Sequence, residues 1–154
     1  MMYLPIYLFD IDGTLADNDH REHFLTVPDG QQKDWDSFWA GQAYDTVHEP
    51  IATIARLLVQ VGGYRVILLT GRPEIYRHVT EVWLDKNGVV YEKMIMRPKG
   101  NREDDTTLKL KLIDEYFTPG ERRQIKLIFE DRQRCVDSMR AAGYKVCQPQ
   151  AGDF

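Results

Sequence analysis

No apolar run in this chain approaches the roughly 20 residues that a membrane span needs, so no membrane role is expected. Positive charge is not in excess either. The chain carries 20 Lys and Arg against 24 Asp and Glu, a formal net charge of −4. That excludes a global basic field for nucleic acid, so any nucleic-acid end must be gripped by a local patch. Only two cysteines occur, Cys135 and Cys147, and no CxxC pair. A zinc ribbon or disulfide scaffold is therefore not expected, and reduced thiols in a cytoplasmic protein are. Neither GxxxxGKS/T nor GxGxxG is present, which removes the P-loop and dinucleotide readings. The apolar N-terminus has no basic lead, so a signal peptide is not expected. Internal repeats and low-complexity tracts are lacking as well.

What is present is an ordinary globular balance, 43% hydrophobic and 29% charged residues over 154 positions, which argues against disorder and for one domain. Five short apolar runs read as strands: Tyr3–Phe9, Tyr64–Leu69, Tyr91–Met96, Ile125–Phe129 and Tyr144–Cys147. Most lack clean alternation, as strands covered on both faces do. Helical patterns lie between them at Pro50–Val61, Pro73–Asn87, Asp105–Phe117 and Arg132–Ala142, several ended by glycine. Alternating strands and helices predict an α/β fold with a doubly wound, mostly parallel, Rossmann-like sheet. Such sheets bind ligands at the carboxyl ends of their strands. The polar and aromatic segment from Asp17 to Glu49 breaks the rhythm and reads as a small cap insert, partly helical. The expected organisation is thus a single domain over 1–154 with a cap at about 17–49.

The first strand runs into FDIDGTLAD, Phe9 to Asp17. Asp10 and Asp12 are two apart and project to one side in extended backbone. Two convergent carboxylates repel unless a cation compensates, and they begin an oxygen-lined Mg²⁺ site. An aspartate there can be a nucleophile, and its neighbour an acid for the leaving oxygen. Two solvated acids at a turn would be the plain alternative. The second strand ends in VILLTGRP, Val66 to Pro73. Thr70 and Gly71 before a helix starting at Pro73 read as a phosphate cradle or as a simple N-cap. Arg72 reaches a phosphate or is solvated. In Met96–Tyr116, Asp105 and Lys109 stand four apart, which supports an ordinary ion pair or a lysine turned to phosphate and oriented by the acid. Lys111 points elsewhere. Arg97, Lys99 and Arg102 form a basic loop past a strand end, a solvated loop or a clamp for further phosphates. Glu130 and Asp131 close the strand in LIFEDRQR, either favouring a helix dipole or completing a metal site with Asp10 and Asp12.

The DIDGT, LLTGR, later lysine and acidic-pair motifs resemble those of the haloacid dehalogenase-like phosphatases, across nearly the whole chain. MRP…REDDTTLK, FEDRQRCVDSMRAAGYKVCQ and the terminal AGDF are more similar still to the phosphatase half of the phage-type polynucleotide kinase–phosphatases. The resemblance implies a haloacid dehalogenase-like fold and a DNA or RNA end-processing 3′-phosphatase. Asp10 would attack phosphorus to form an aspartyl-phosphate. Asp12 would protonate the leaving oxygen and then activate water. Mg²⁺ would sit on Asp10, the Asp12 backbone carbonyl and Asp131, with Glu130, an Asp in the relative, nearby. Thr70 and Lys109 would hold phosphate oxygens, supported by Gly71 and Arg72, with Asp105 preceding the lysine. Arg21, His20 and His23 in the insert are candidates for substrate contact. The kinase half has no counterpart here, so a separate kinase or ligase is left open as a partner. Two rival readings remain: a 5′(3′)-mononucleotide phosphatase, needing only a closed pocket, and a non-catalytic phospho-ligand binder on the same fold.

Overall fold

The structure, a computed structural model, describes residues 3–152, so Asp153 and Phe154 of the AGDF stretch lie outside the described residues. The chain opens with β1 (Ile6–Phe9), β2 (Ala16–Asp17), α1 (Asp19–Glu22), α2 (Trp35–Ala40) and β3 (Thr46–Val47). It continues with α3 (Glu49–Val61), β4 (Arg65–Pro73), α4 (Arg77–Lys86) and β5 (Lys93–Arg97). Helices α5 (Asp105–Tyr116) and α6 (Pro119–Arg122), β6 (Ile125–Phe129), α7 (Gln133–Ala141) and β7 (Val146–Cys147) complete it. The main sheet is parallel throughout, in the order β5-β4-β1-β6-β7. The expected doubly wound α/β architecture is what the chain adopts.

Alternation along each strand sorts side chains to two faces. Phe9, Val66, Leu68, Met94, Met96 and Phe129 form one layer with α3 and α4, where Trp83 and Leu84 are buried. Ile6, Leu8, Ile67, Leu69, Ile95 and Ile128 form the other with α5 and α7. Each fully buried aliphatic side chain contributes about 1.5–3 kcal/mol, so these layers hold β1 rigidly at the centre. Its last residue therefore presents Asp10 at a fixed point, where the Asp10 N–H donates to the Phe129 carbonyl at 2.9 Å.

The insert is bounded by a two-stranded antiparallel ribbon in which Ala16 pairs Val47 and Asp17 pairs Thr46. Between them lie α1, α2 and a 3-10 turn at Gln42–Tyr44, as the partly helical reading expected. Several boundaries differ from expectation, and the one at Pro73 matters most to the site. Pro73 does not begin a helix but ends β4, pairing in register with Arg97. A proline forces the residue before it toward extended backbone, and Pro73 itself has φ −63°, ψ 141°. A 3-10 turn at Glu74–Tyr76 follows before α4 begins. Among the described residues no helix is long and apolar enough to cross a membrane.

Candidate active site

Four chain segments deliver functional groups to the carboxyl end of the sheet. Asp10 follows β1, Thr70 and Gly71 lie near the end of β4, Glu130 and Asp131 follow β6, and Lys109 comes in from α5. All four charged groups are buried: Asp10, Lys109, Glu130 and Asp131 are at most 5% exposed. Such groups are almost never buried without partners. Lys109 Nζ donates to Asp10 Oδ1 at 2.9 Å and to Glu130 Oε2 at 2.6 Å, with Asp105 Oδ2 at 3.7 Å. Burial alone would lower the Lys109 pKa, but the Asp10, Glu130 and Asp105 carboxylates overcome it and hold it well above the ordinary value. Burial and then the Glu130 charge push Asp10 well above the ordinary carboxyl value, against the pull of Lys109. Asp131 is pushed up to about 7, again by burial and then by Glu130.

Asp10, Glu130 and Asp131 each offer an oxygen within 4.8 Å of the others. Asp131 Oδ2 is buried and has no hydrogen-bond partner. A Cβ on Gly13 would lie 2.1 Å from that oxygen and one on Gly152 2.4 Å, so two glycines make room for it. Three clustered carboxylates, two of them on one ammonium and the third with an orphaned oxygen, fit a hard divalent cation.

Asp12 is not part of this trio. Its carboxylate turns the other way, into two buried guanidiniums. Arg72 donates from Nε to Oδ2 at 3.0 Å and from Nη2 to Oδ1 at 2.8 Å, and Arg21 Nη2 donates to Oδ1 at 2.5 Å. Burial would raise the Asp12 pKa, but Arg72 and then Arg21 outweigh it and hold the carboxyl well below the usual range. The expectation that the Asp10 and Asp12 carboxylates converge on one metal is therefore corrected: the Asp12 side chain is held by the arginines, and only its backbone carbonyl stays available for the role the resemblance implies.

Several expectations are corrected. Arg21 and Arg72, read as substrate contacts, are fully buried and committed to protein acids. Both also clasp Asp45, Arg21 through Nε at 2.7 Å and Arg72 through Nη2 at 3.2 Å. Asp45 was not anticipated; it lies in the insert, and only the folded chain brings it to Arg72. The Thr70–Gly71 turn does not front a helix, because α4 starts later, and Thr70 Oγ1 accepts from the Arg72 N–H at 3.1 Å. Gly71 instead allows a close approach, since a Cβ there would lie 2.2 Å from Asp105 Oδ1. Arg97 is no free clamp. Its guanidinium donates to the Gly71 carbonyl at 3.0 Å, the Glu103 carbonyl at 2.7 Å and Asp105 Oδ1 at 2.8 Å. Asp105 Oδ2 stands 3.7 Å from Lys109 Nζ, the ion pair that the four-residue spacing allows, while the adjacent Asp104 caps α5 by accepting from the Thr106 N–H. Of the basic loop, Arg102 remains exposed and lines the cleft. His20 meets Asp45 at 2.9 Å rather than the cleft.

The cleft above the carboxylates has a volume of about 540 Å³ and runs from Asp10 and Asp131 out to Trp35 and Trp39 of the insert. It is wide enough for a phosphorylated small molecule or the end of a chain.

Comparison with known proteins bears on this arrangement. A family model described as the polynucleotide kinase PNKP phosphatase domain matches residues 5–154. The chain is similar to one in the solved structure of a Pnkp1/Rnl/Hen1 RNA repair complex, at 27% identity and a TM-score of 0.80. That match covers 98% of this chain but 44% of the other, so this chain spans less than half of that relative. The fold is shared with a haloacid dehalogenase-like family hydrolase from Streptococcus pneumoniae (14% identity, TM-score 0.63, covering 94% of this chain and 84% of that one). It is shared also with CbbY from Rhodobacter sphaeroides, solved in complex with phosphate (16% identity, TM-score 0.57, covering 99% and 88%). No curated protein is a significant match to the chain.

Proposed function

Since the chain belongs to the polynucleotide kinase PNKP phosphatase-domain family of haloacid dehalogenase-like phosphatases, we propose that it hydrolyses 3′-phosphomonoesters at nucleic-acid ends through an aspartyl-phosphate on Asp10. The observation that carries this reading is the buried Asp10–Lys109–Glu130–Asp131 cluster opening into a cleft. Asp10 is held at the rigid end of the central strand, next to a cation that is itself fixed by three acids. A bond forms from an Asp10 oxygen to phosphorus as the bond to the leaving ribose oxygen breaks, and that oxygen takes a proton. Water then attacks phosphorus, loses its proton to the chain, and frees Asp10 and inorganic phosphate.

Asp12 is the proton carrier in this scheme. As held by Arg21 and Arg72 it is ionised, the state that takes a proton from water in the second half. The first half needs that grip loosened so that the carboxyl, which lines the cleft, carries a proton for the leaving oxygen. Lys109 stabilises charge on the phosphoryl oxygens, and Asp105 and Arg97 position it. Asp10, Glu130 and Asp131 would hold Mg²⁺, which supplies neutralisation of charge on the transferring group. The segment between β2 and β3 acts as the cap. A separate kinase or ligase as partner is part of the same proposal, supported by the similarity to a chain from an RNA repair complex.

The test is phosphate release with Mg²⁺ from a 3′-phosphorylated oligonucleotide, compared with 3′- and 5′-mononucleotides. Asp10→Asn should lower release by about 10³-fold or more. Preference for the oligonucleotide is the expected result, and preference for mononucleotides would replace it with a nucleotidase. Undiminished release by Asp10→Asn would end the aspartyl-phosphate mechanism.

A further inference from the structure

Trp35 is the large aromatic that the fold leaves uncovered inside the cleft, at 43% exposure. It does not stand alone. Its ring stacks with Trp39 (centroids 6.1 Å apart, 22° between planes), and Trp39 meets Tyr76 at 5.9 Å and 32°. Buried Phe38 braces both tryptophans edge-on, at 5.9 Å and 4.8 Å. Below, the Arg21 guanidinium lies 4.2 Å over the Phe38 ring, which ties the platform to the Asp12 network. The platform is thus rigid, with Trp35 as its outermost plate.

Nothing in the folding of the insert requires an indole at that plate, since its ring is half open to solvent. The cleft it faces carries the carboxylate cluster at its floor and Arg102 among its lining residues. Arg102 is exposed and has no ion-pair partner among the described residues. Lys33, also lining the cleft, reaches 5.9 Å over the Trp35 ring. A small aliphatic phosphoester would need neither an aromatic wall nor a spare cation. A nucleotide needs both: a flat π-face for the base and a positive group for the next phosphate.

We propose that Trp35 is the stacking plate for the nucleobase carried by the phosphorylated terminal sugar, and that Arg102 receives the adjoining phosphodiester. The inference rests on the nucleic-acid-end reading and deepens it, placing recognition on the base of the last nucleotide. Stacking is tolerant of base identity and of the sugar, so the same plate serves ribose and deoxyribose ends.

The experiment separates this inference from the reading beneath it. Asp10→Asn protein with Mg²⁺ is titrated, by anisotropy of a 5′ dye, with a 3′-phosphorylated trinucleotide and with the same molecule abasic at its last position. Both sugars are used. The abasic form should bind about 5- to 150-fold more weakly, the range of one base–aromatic stack. Trp35→Ala should reduce that ratio toward one, and Trp35→Phe should keep most of it. Absence of a base preference, or equal weakening of both ligands by Trp35→Ala, would overturn the stacking role. Phosphate release by the wild-type chain is run in parallel. Release without a base preference sinks the inference and leaves the proposed activity, whereas a base preference without release does the reverse.

Discussion

Replacing Asp131 by asparagine should stabilise the metal-free protein at neutral pH. The carboxyl is 1% exposed, its Oδ2 has no partner, and the Glu130 charge lies beside it. Its pKa therefore stands at about 7 against an ordinary 3.8. Between pH 4 and 7 the folded chain keeps a proton that the unfolded chain has lost, so stability falls as pH rises through that window. About three pH units at about 1.4 kcal/mol each make the loss about 4 kcal/mol. Asparagine carries no such proton. Asp131→Asn should match wild type near pH 4 and exceed it by up to about 4 kcal/mol at pH 7.5. Relief of Asp10, whose own pKa is raised in part by the Asp131 charge, has the same sign. Mg²⁺ should close that gap, since a ligand at a hundred times its Kd adds about 2.7 kcal/mol, and at a thousand times about 4.1 kcal/mol, to the protein that binds it. Urea melts at the two pH values, each in EDTA and in MgCl₂, give the four numbers needed. A variant no more stable than wild type at pH 7.5 in EDTA would refute the claim that this carboxylate is uncompensated. Equal Mg²⁺ stabilisation of both proteins would refute its place at the metal.

Two further outcomes are expected. Asp45→Asn removes the charge shared by Arg21 and Arg72, both fully buried, and should cost about 3–5 kcal/mol in a thermal or denaturant melt; a loss under about 1 kcal/mol would mean the guanidiniums find other partners. Gly71→Ala puts a methyl group 2.2 Å from Asp105 Oδ1 and should lower kcat/KM about 10- to 100-fold by displacing the acid that orients Lys109; in an Asp105→Ala background the same change should add little, and full additivity would refute that route.

The strands and the four motif positions were legible because both are local. An apolar run of five to seven residues announces a buried strand, and a carboxylate at its end cannot be hidden by anything nearby in sequence. Ile125–Phe129 was placed to the residue for that reason. The ribbon of β2 and β3 was not, since two-residue strands carry no period. Pro73 misled because its preference for a first helical turn competes with its effect on Arg72, and the sheet decided for the latter. The arginines illustrate the larger limit. A basic residue beside a catalytic motif reads as a substrate contact, yet the partners of Arg72 lie 60 positions away at Asp12 and 27 away at Asp45. Long-range pairing leaves no trace in local pattern, which is also why Asp45 was invisible.

The ribbon has a consequence for how such a protein can change over time. Because the excursion departs at Asp17 and returns at Thr46, its two ends are already neighbours, joined in one antiparallel step. Doubling the length of such a closed detour adds only about 0.6 kcal/mol of closure entropy. The ribbon forms a sheet of its own, separate from the five-stranded one below. Natural variation can therefore exchange the aromatic wall for another, and with it the molecules admitted, while Asp10, Lys109 and Asp131 keep their places. Arginine–carboxylate bonds from Arg21 to Asp12 and from Arg72 to Asp45 are stitches across that seam, together with the bonds of Arg72 and Thr80 to Gln42, of Trp83 to the Asp45 carbonyl, and the Trp39–Tyr76 contact. A transplanted excursion would have to supply partners at each of these points to keep Asp12 and Arg72 in place.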